Sequence, residues 1–338
     1  MRQLEAFTLG KKFGQPETNE DSLVVMPNLG YAVIDGVTDR NGTRFGGMLS
    51  GQFASRTVKR AIEIFLLAQG QPDQPALQFQ GGEHFVDYLG KAIHAGYAQH
   101  GALEAVEADW KLRGGCTVMA ALLLGDRLEV VAVGDSGIRI NGHDTLQVLK
   151  PLDDVTAILR RETWRYFEQR GASLEECDKH AAAMTWQGTR NQQAGTVTAA
   201  PEIVEAIEQS ALSACRQHLP SVPEAEILVL IQHGISHGQG QFSNVTEPVL
   251  GYGGLDGFAV PKRFIETRSY PLAEVETIEL FSDGYFKMGA EFGVASWEAA
   301  FEEVEAEDLH KIGPYISTKG TTALQLTDDR SYLGVRLK

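Results

Sequence analysis

The chain is 338 residues long, 43% hydrophobic and 22% charged, a globular composition with ample material for a core that excludes a disordered chain. Its net charge is -15, and in the absence of a dense Lys/Arg run that charge repels a nucleic-acid backbone or an anionic membrane. Cys116, Cys177 and Cys215 are odd in number and lack C-x-x-C spacing, so neither a disulfide framework nor a zinc ribbon is expected and a reducing compartment fits.

Residues 1–5 contain no apolar signal core, and the longest apolar runs, 118–124 and 227–231, are too short to span a bilayer; the expectation is a cytoplasmic protein. The first strand signal is the run 29–34, which ends on Asp35-Gly36. A helix follows in which Phe53, Thr57, Val58, Ala61, Ile62, Phe65 and Leu66 recur at spacings of three and four. A second runs through Phe85, Leu89, Ala92, Ile93 and Tyr97. Strand signals at 117–124, 127–133, 138–140 and 145–149 are separated by Gly125-Asp126, by Gly134-Asp135-Ser136-Gly137 and by the type I′ signal Asn141-Gly142, which predicts a four-strand antiparallel meander.

From 153 to 270 the character changes. Helical patterns at 155–167 and through Val204, Ile207, Ala211, Leu212, Cys215 and Leu219 bracket a polar segment, 188–198, and a Gly-rich stretch, 234–257, follows. These residues are read as a large insertion or flap within one domain covering 1–338. Strand signals resume at 275–281, a helix is predicted from an N-cap at Ser296 with Trp297, Phe301 and Val304 inward, and 332–337 closes as a strand. Helices segregated from antiparallel strands place the chain in the α+β class.

Three apolar runs are bounded by carboxylates: Asp35 before Gly36, Asp283 before Gly284, and Asp328-Asp329 ahead of the last strand. A carboxylate where a buried strand meets solvent, followed by Gly, can lean on a metal while the backbone carbonyl turns toward the same ion. Several such ends converging make a hard-cation site. Taken singly, Asp35-Gly36, Glu20-Asp21, Asp135 and Asp328-Asp329 also read as ordinary turns or acidic loops.

Asn19-Glu20-Asp21-Ser22, Ala32-Val33-Ile34-Asp35-Gly36, Gly46-Gly47 leading to Ser50-Gly51, Gly114-Gly115-Cys116-Thr117, Val133-Gly134-Asp135-Ser136, Phe281-Ser282-Asp283-Gly284 and Asp328-Asp329-Arg330-Ser331 stand in one order. That order resembles the metal-dependent protein phosphatase 2C family, in its bacterial form, over residues 8–157 and 272–338. The resemblance implies a four-layer α-β-β-α sandwich of two antiparallel sheets flanked by helices. It also implies a centre of two Mn²⁺ or Mg²⁺ ions, with a weak third, that activates a bridging water to hydrolyse phosphoserine and phosphothreonine. Carried over, Asp35 would bridge both ions and the Gly36 carbonyl would bind the second. Glu20 would ligate that second ion, with Asp21 beside it holding water; Asp283 and Asp328 would ligate the first, and Asp135 with Asp283 the weak third. Asp35 and Asp283 carry the catalytic role in this reading. The implied partners are a phosphoprotein substrate and a cognate Ser/Thr kinase, with no nucleic acid and no membrane. All-oxygen ligation independently selects hard cations over zinc.

Three positions depart from the family pattern. Val37 stands where a His often follows the Asp-Gly pair, so the leaving alkoxide needs another proton donor. Pro16 replaces an Arg that grips phosphate, leaving Lys11, Lys12 or Arg44 as substitutes, and Asp329 replaces the usual Asn.

Two rival readings come from other classes. Gly234-Ile235-Ser236-His237-Gly238 fits G-x-S-x-G after the run 227–231, read as a strand, and suggests a serine hydrolase using Ser236. An elbow leads into a helix, however, and 239–244 has no helical period; alternating βαβ units are also missing. His233 and His237 read as surface polar groups, and Trp164, Tyr166 and Phe167 as flap core. A catalytically weak phosphatase fold kept as a phosphoprotein-binding scaffold is the other alternative, but it should have lost a main carboxylate, and Glu20, Asp35, Asp283 and Asp328 are all present.

Overall fold

The computed structural model describes residues 3–38, 42–71, 73–190 and 199–338. Of the polar segment expected at 188–198, residues 191–198 lie outside the described residues. The strands are β1 (Gln3–Leu9), β2 (Ser22–Met26), β3 (Gly30–Gly36), β4 (Arg44–Phe45), β5 (Met48–Leu49), β6 (Cys116–Leu124), β7 (Arg127–Val133), β8 (Gly137–Ile140), β9 (Asp144–Gln147), β10 (Glu266–Pro271), β11 (Thr277–Phe281) and β12 (Arg330–Arg336). The helices are α1 (Ser50–Ala68), α2 (Gly82–Gln99), α3 (Leu103–Ala108), α4 (Pro151–Glu168), α5 (Leu174–Gln187), α6 (Pro201–His218), α7 (Glu224–His233) and α8 (Val294–Glu307). Contacts divide the chain into one unit of residues 1–149, 253–303 and 324–338 and a second of 150–252 and 304–323.

β3, β6 and β7 are apolar at nearly every position, which in an antiparallel sheet requires cover on both faces. Alternate side chains divide accordingly. Ala32, Ile34, Val118, Ala120, Leu122, Val131 and Val133 pack with α1 and α2, while Tyr31, Val33, Met119, Ala121, Val130 and Ala132 meet Ile138, Ile278, Leu280, Leu333 and Val335 of the facing sheet. The two sheets run β10-β7-β6-β3-β2 and β1-β12-β11-β8-β9, every pairing antiparallel. On the far side of the second sheet, Phe281 and Tyr332 pack against Trp297 and Phe301 of α8. The first unit is therefore the expected α-β-β-α sandwich.

A buried ion pair sits between that sheet and α8. Arg139 Nε and Nη2 donate to Glu279 Oε2 and Oε1 at 2.7 and 2.8 Å, and Oε1 also accepts from Trp297 Nε1 and Tyr332 Oη, both at 2.9 Å. Glu279 is fully buried, so its charge depends on this network.

Four expectations are corrected. The four-strand meander is split: β6 and β7 pair in one sheet and β8 and β9 in the other, so Gly134-Asp135-Ser136 is a crossover between sheets and not a hairpin turn. The run 227–231 is helical, within α7; Ile227, Leu230 and Ile231 are buried at spacings of three and four, the helical alternative that a short apolar run leaves open. The helix predicted from Ser296 begins at Val294, and the Ser296 hydroxyl instead accepts from Glu291 N at 2.9 Å. The region 153–270 does not form one block. Residues 253–270 belong to the first unit, where β10 pairs with β7 from Glu266↔Ala132 to Pro271↔Arg127, whereas 304–323 joins the second.

The second unit has its own core. Val155, Ile158 and Leu159 of α4 pack with Ile207 and Ala211 of α6 and with Ile227, Leu230 and Ile231 of α7. Trp164 is fully buried beside Cys177 and Ala181, as expected of core. Arg160, 1% exposed, donates to Asp178 Oδ1 at 2.9 Å and to the His310 carbonyl at 2.7 Å. Among the described residues no helix is long and apolar enough to cross a membrane.

Candidate functional site

The strand ends of the first unit bring seven carboxylates together, those of Glu20, Asp21, Asp35, Asp135, Asp283, Asp328 and Asp329. Asp35 is the penultimate residue of β3 and shares the parity of Tyr31 and Val33, so its side chain emerges at the end of the core between the sheets. It lies opposite Thr117 on β6, whose hydroxyl meets that of Ser136 at 2.9 Å, which ties the Asp135 crossover to the same end. β11 and β12 are joined just before Asp283 and just after Asp329: Ser282 N donates to the Ser331 carbonyl at 3.0 Å, and Ser331 N to Ser282 Oγ at 2.9 Å.

Glycines allow Glu20 to approach. A Cβ on Gly36 would stand 2.6 Å from both the Glu20 and Gly51 carbonyl oxygens, and one on Gly51 would stand 2.6 Å from Glu20 Oε1. Only glycine at both positions lets the start of α1, the end of β3 and Glu20 meet. Gln52, in the first turn of α1, fixes the segment ahead of Glu20 by donating to the carbonyls of Glu17 and Asn19 at 2.5 and 3.0 Å.

Lys11 enters the cluster from the loop after β1. Its Nζ lies 2.8 Å from Thr38 Oγ1, 2.9 Å from Asp328 Oδ1, 3.1 Å from Asp329 Oδ2 and 3.4 Å from Glu20 Oε2. Burial alone would lower its pKa, but Asp328, Asp329 and Glu20 outweigh that and hold it well above the ordinary lysine value. Asp329 is the anchor of this corner: Oδ1 accepts from Lys11 N at 2.6 Å and Oδ2 from Glu20 N at 3.2 Å. The carboxylate at this position thus takes three hydrogen bonds, more than an Asn side-chain oxygen is placed to accept. Of the other two cations considered for phosphate, Arg44 donates to the Gly47 carbonyl at 2.9 Å, and Lys12 forms an isolated bridge with Gln325. Val37 is half-exposed, with its N–H on the Gly115 carbonyl.

The rest of the cluster has too little positive charge. Burial first, then the charge of Asp329, pushes Asp21 up to about 7; the hydroxyls of Ser331 and Ser282 lie close enough to temper the shift, yet neither Asp21 oxygen has a hydrogen-bond partner of acceptable geometry. Asp35 is raised well above the carboxylate range by burial and by Asp21, with Asp328 and Asp135 adding to it. Asp283 is raised by burial and by Asp35, with which it shares a hydrogen bond, and its Oδ1 has no partner. Buried carboxylates that press one another's pKa upward mark a place where positive charge is due.

Among the described residues, no three His, Cys, Asp or Glu side chains are drawn in around one point as a finished metal cage. The one ammonium that the described residues bring to the cluster is that of Lys11, which lies against Glu20, Asp328 and Asp329. The donor set still suits a hard cation: every group is an oxygen, and the orphaned oxygens of Asp21 and Asp283 are at hand.

The raised carboxylates set a pH dependence for the metal-free protein. A group whose folded pKa lies above its unfolded value holds a proton that the unfolded chain has lost, so stability is full below about 4 and falls as pH rises through about 7 for Asp21. Melting temperature in chelator should therefore decline across that window. A flat or rising profile would contradict the charge shortfall.

The G-x-S-x-G segment is no elbow. Gly234–Gly238 is a single π-helical turn that continues from α7, not a strand-to-helix turn, and Ser236 Oγ lies 2.7 Å from Nδ1 of the adjacent His237. Ser236→Ala should leave phosphate-ester hydrolysis unchanged, and a serine-directed organophosphorus reagent should not label Ser236; stoichiometric labelling there would revive the hydrolase alternative.

No protein-family model matches the chain and no curated protein matches it. Solved structures similar to it over nearly the whole chain include the Mycobacterium tuberculosis serine/threonine phosphatase PstP/Ppp, at 16% identity and TM-score 0.43, covering 100% of this chain and 99% of that one. The serine/threonine phosphatase Stp1 of Staphylococcus aureus is similar at 11% identity and TM-score 0.45, covering 100% and 96%. The catalytic domain of the serine/threonine protein phosphatase PstP, solved with two manganese ions, is similar at 17% identity and TM-score 0.41, covering 99% and 97%.

Proposed function

We infer that the chain is a metal-dependent serine/threonine protein phosphatase of the 2C type, and the observation that carries this is the charge-deficient carboxylate cluster built from Glu20, Asp21, Asp35, Asp135, Asp283 and Asp328. Asp35, Asp283 and Asp328 are proposed to hold one Mn²⁺ or Mg²⁺ ion, and Asp35, the Gly36 carbonyl and Glu20 a second. Asp21 would orient water beside Glu20, and Asp135 with Asp283 would form a weaker third position. Two hard cations there supply a nucleophile at neutral pH and cover for charge on the phosphoryl oxygens.

The chain's own groups do the rest. The glycine approach of Gly36 and Gly51 fixes the Glu20 carboxylate against the end of β3, and Asp329 holds the backbone of Lys11 and Glu20 in register. Val37 has no ionisable group, so the chain offers no side-chain acid at that position to the leaving alkoxide. Substrates are phosphoproteins, the products of a Ser/Thr kinase. The second unit, 150–252 with 304–323, is read as an insertion in the phosphatase fold, and three buried, unpaired cysteines fit a reducing, cytoplasmic setting.

The test is thermal. Ligand bound only by the folded state adds about 2.7 kcal/mol of stability at 100 times its Kd, so Mn²⁺ should raise the melting temperature and chelator should reverse it. Asp35→Asn should abolish most of that rise. A melting temperature indifferent to Mn²⁺ would overturn the proposal.

A further inference from the structure

We propose that Lys11 is an internal cation that occupies one arm of the carboxylate cluster in the metal-free protein and is displaced when the divalent ion pair is completed. The inference rests on the metal-dependent reading above and gives Lys11, named there only as a substitute for the phosphate-gripping Arg, a different role.

The surroundings of Lys11 Nζ are those of a bound cation. Three carboxylates and one hydroxyl surround it, all oxygen, at 2.8 to 3.4 Å, and the residue is only 3% exposed. Its placement is not that of a loose surface lysine. The backbone is pinned from both directions: Lys11 N donates to Asp329 Oδ1 at 2.6 Å, and its carbonyl accepts from Leu326 N at 2.8 Å. The next residues continue the pairing, with Phe13 N on the Leu324 carbonyl at 3.1 Å.

The ammonium divides the cluster into unequal arms. Glu20 and Asp328 are each held by Lys11, and in the metal reading each ligates a different one of the two ions. Asp21, by contrast, keeps both oxygens unpartnered, and the hydrogen bonds of Lys11 Nζ go to Glu20, Thr38, Asp328 and Asp329, not to Asp35 or Asp283. A first divalent ion entering at Asp35 and Asp283 meets no ammonium hydrogen-bonded to either group. Completing the pair needs Glu20 and Asp328 as well, and a divalent ion cannot sit within bonding distance of either while the ammonium remains against it, because like charges so close repel strongly in a buried site. The lysine stem has four rotatable bonds, so the head can swing away while the pinned backbone stays in place. Lys11 therefore keeps the apo fold intact and sets the concentration at which the second ion enters.

Calorimetric titration of Mn²⁺ into the full chain and into Lys11→Met, with melting curves in chelator, tests this. The wild type should show one tight event and a second weaker by about ten-fold or more, and Lys11→Met should tighten the second by a similar factor. The chelated variant should melt lower than the wild type, with Mn²⁺ closing the gap. Lys11→Arg retains the charge and should keep the weak second event; it also serves if Lys11→Met fails to fold without metal. Equal Mn²⁺ affinities in wild type and Lys11→Met, or an Arg variant that binds the second ion as tightly as Met does, would overturn the proposal. Absence of Mn²⁺ binding in the wild type would instead overturn the metal reading on which it rests.

Discussion

Asp35→Asn and Asp283→Asn are each expected to lower kcat/KM for a phosphothreonine peptide by on the order of 10³-fold at saturating Mn²⁺, since several kcal/mol of charge stabilisation is lost and each 1.36 kcal/mol is a factor of ten. The amide keeps the shape of the carboxylate and removes only its charge. Both side chains are raised well above the carboxylate range by burial and by their neighbours' charge, so the same substitutions relieve repulsion. The metal-free variants should accordingly melt at or above the wild-type temperature while losing activity. That opposed pair of outcomes separates a metal-site defect from misfolding. Near-wild-type turnover in either variant would remove the two-ion assignment.

Glu279→Ala is expected to destabilise the fold by about 3–5 kcal/mol, the usual cost of breaking a buried ion pair from one side. Arg139 would be left 6% exposed without its carboxylate, and Trp297 Nε1 and Tyr332 Oη would each lose their acceptor. Replacing both partners with apolar residues, as in Arg139→Met with Glu279→Leu, should cost less than the single change, because no buried charge is stranded. Denaturant melts measure both. A loss below about 1 kcal/mol for Glu279→Ala would show the network to be dispensable. The pair lies outside the carboxylate cluster, so activity per folded molecule should hold.

The parts of this fold that were legible in the sequence are those whose chemistry is local. The run into Asp35-Gly36 had to be a buried strand ending at solvent, and α1 and α2 show their buried faces at helical spacing. What stayed hidden depends on partners distant in sequence. β1 is largely exposed and its short apolar alternation breaks at Ala6-Phe7; it is a strand because β12 pairs with it along its whole length, from Gln3↔Arg336 to Leu9↔Arg330. β10 is likewise a polar edge strand held by β7. The four strand signals between 117 and 149 were sound, yet adjacency in sequence suggested one meander where the chain changes sheets at Asp135.

The site followed the same division. Asp35 and Asp283 each stand before a Gly at a strand end and Asp328 stands ahead of the last strand, a property of each segment alone, whereas Glu20, Asp21 and Asp135 are reached only through the order in which the motifs stand. Lys11 stands in an ordinary Lys-Lys pair, and nothing in that pair indicates that one ammonium is buried among acids contributed from residues 20, 328 and 329. Asp329 looked like a shape-conserving change, but its second oxygen is what reaches Glu20 N. The apolar run in α7 illustrates a further limit, since a short run of Ile, Leu and Val suits a strand or a buried helix equally until its neighbours are known.

Hydrolysis of a phosphothreonine peptide by the full chain, followed with Mn²⁺, then with excess chelator, then with Mn²⁺ restored, tests the central claim most directly. The account predicts release of phosphate that requires Mn²⁺, stops on chelation and returns on re-addition. Hydrolysis indifferent to chelator, or none from protein shown by calorimetry to be loaded with Mn²⁺, would contradict it, the latter pointing to a phosphoprotein-binding scaffold.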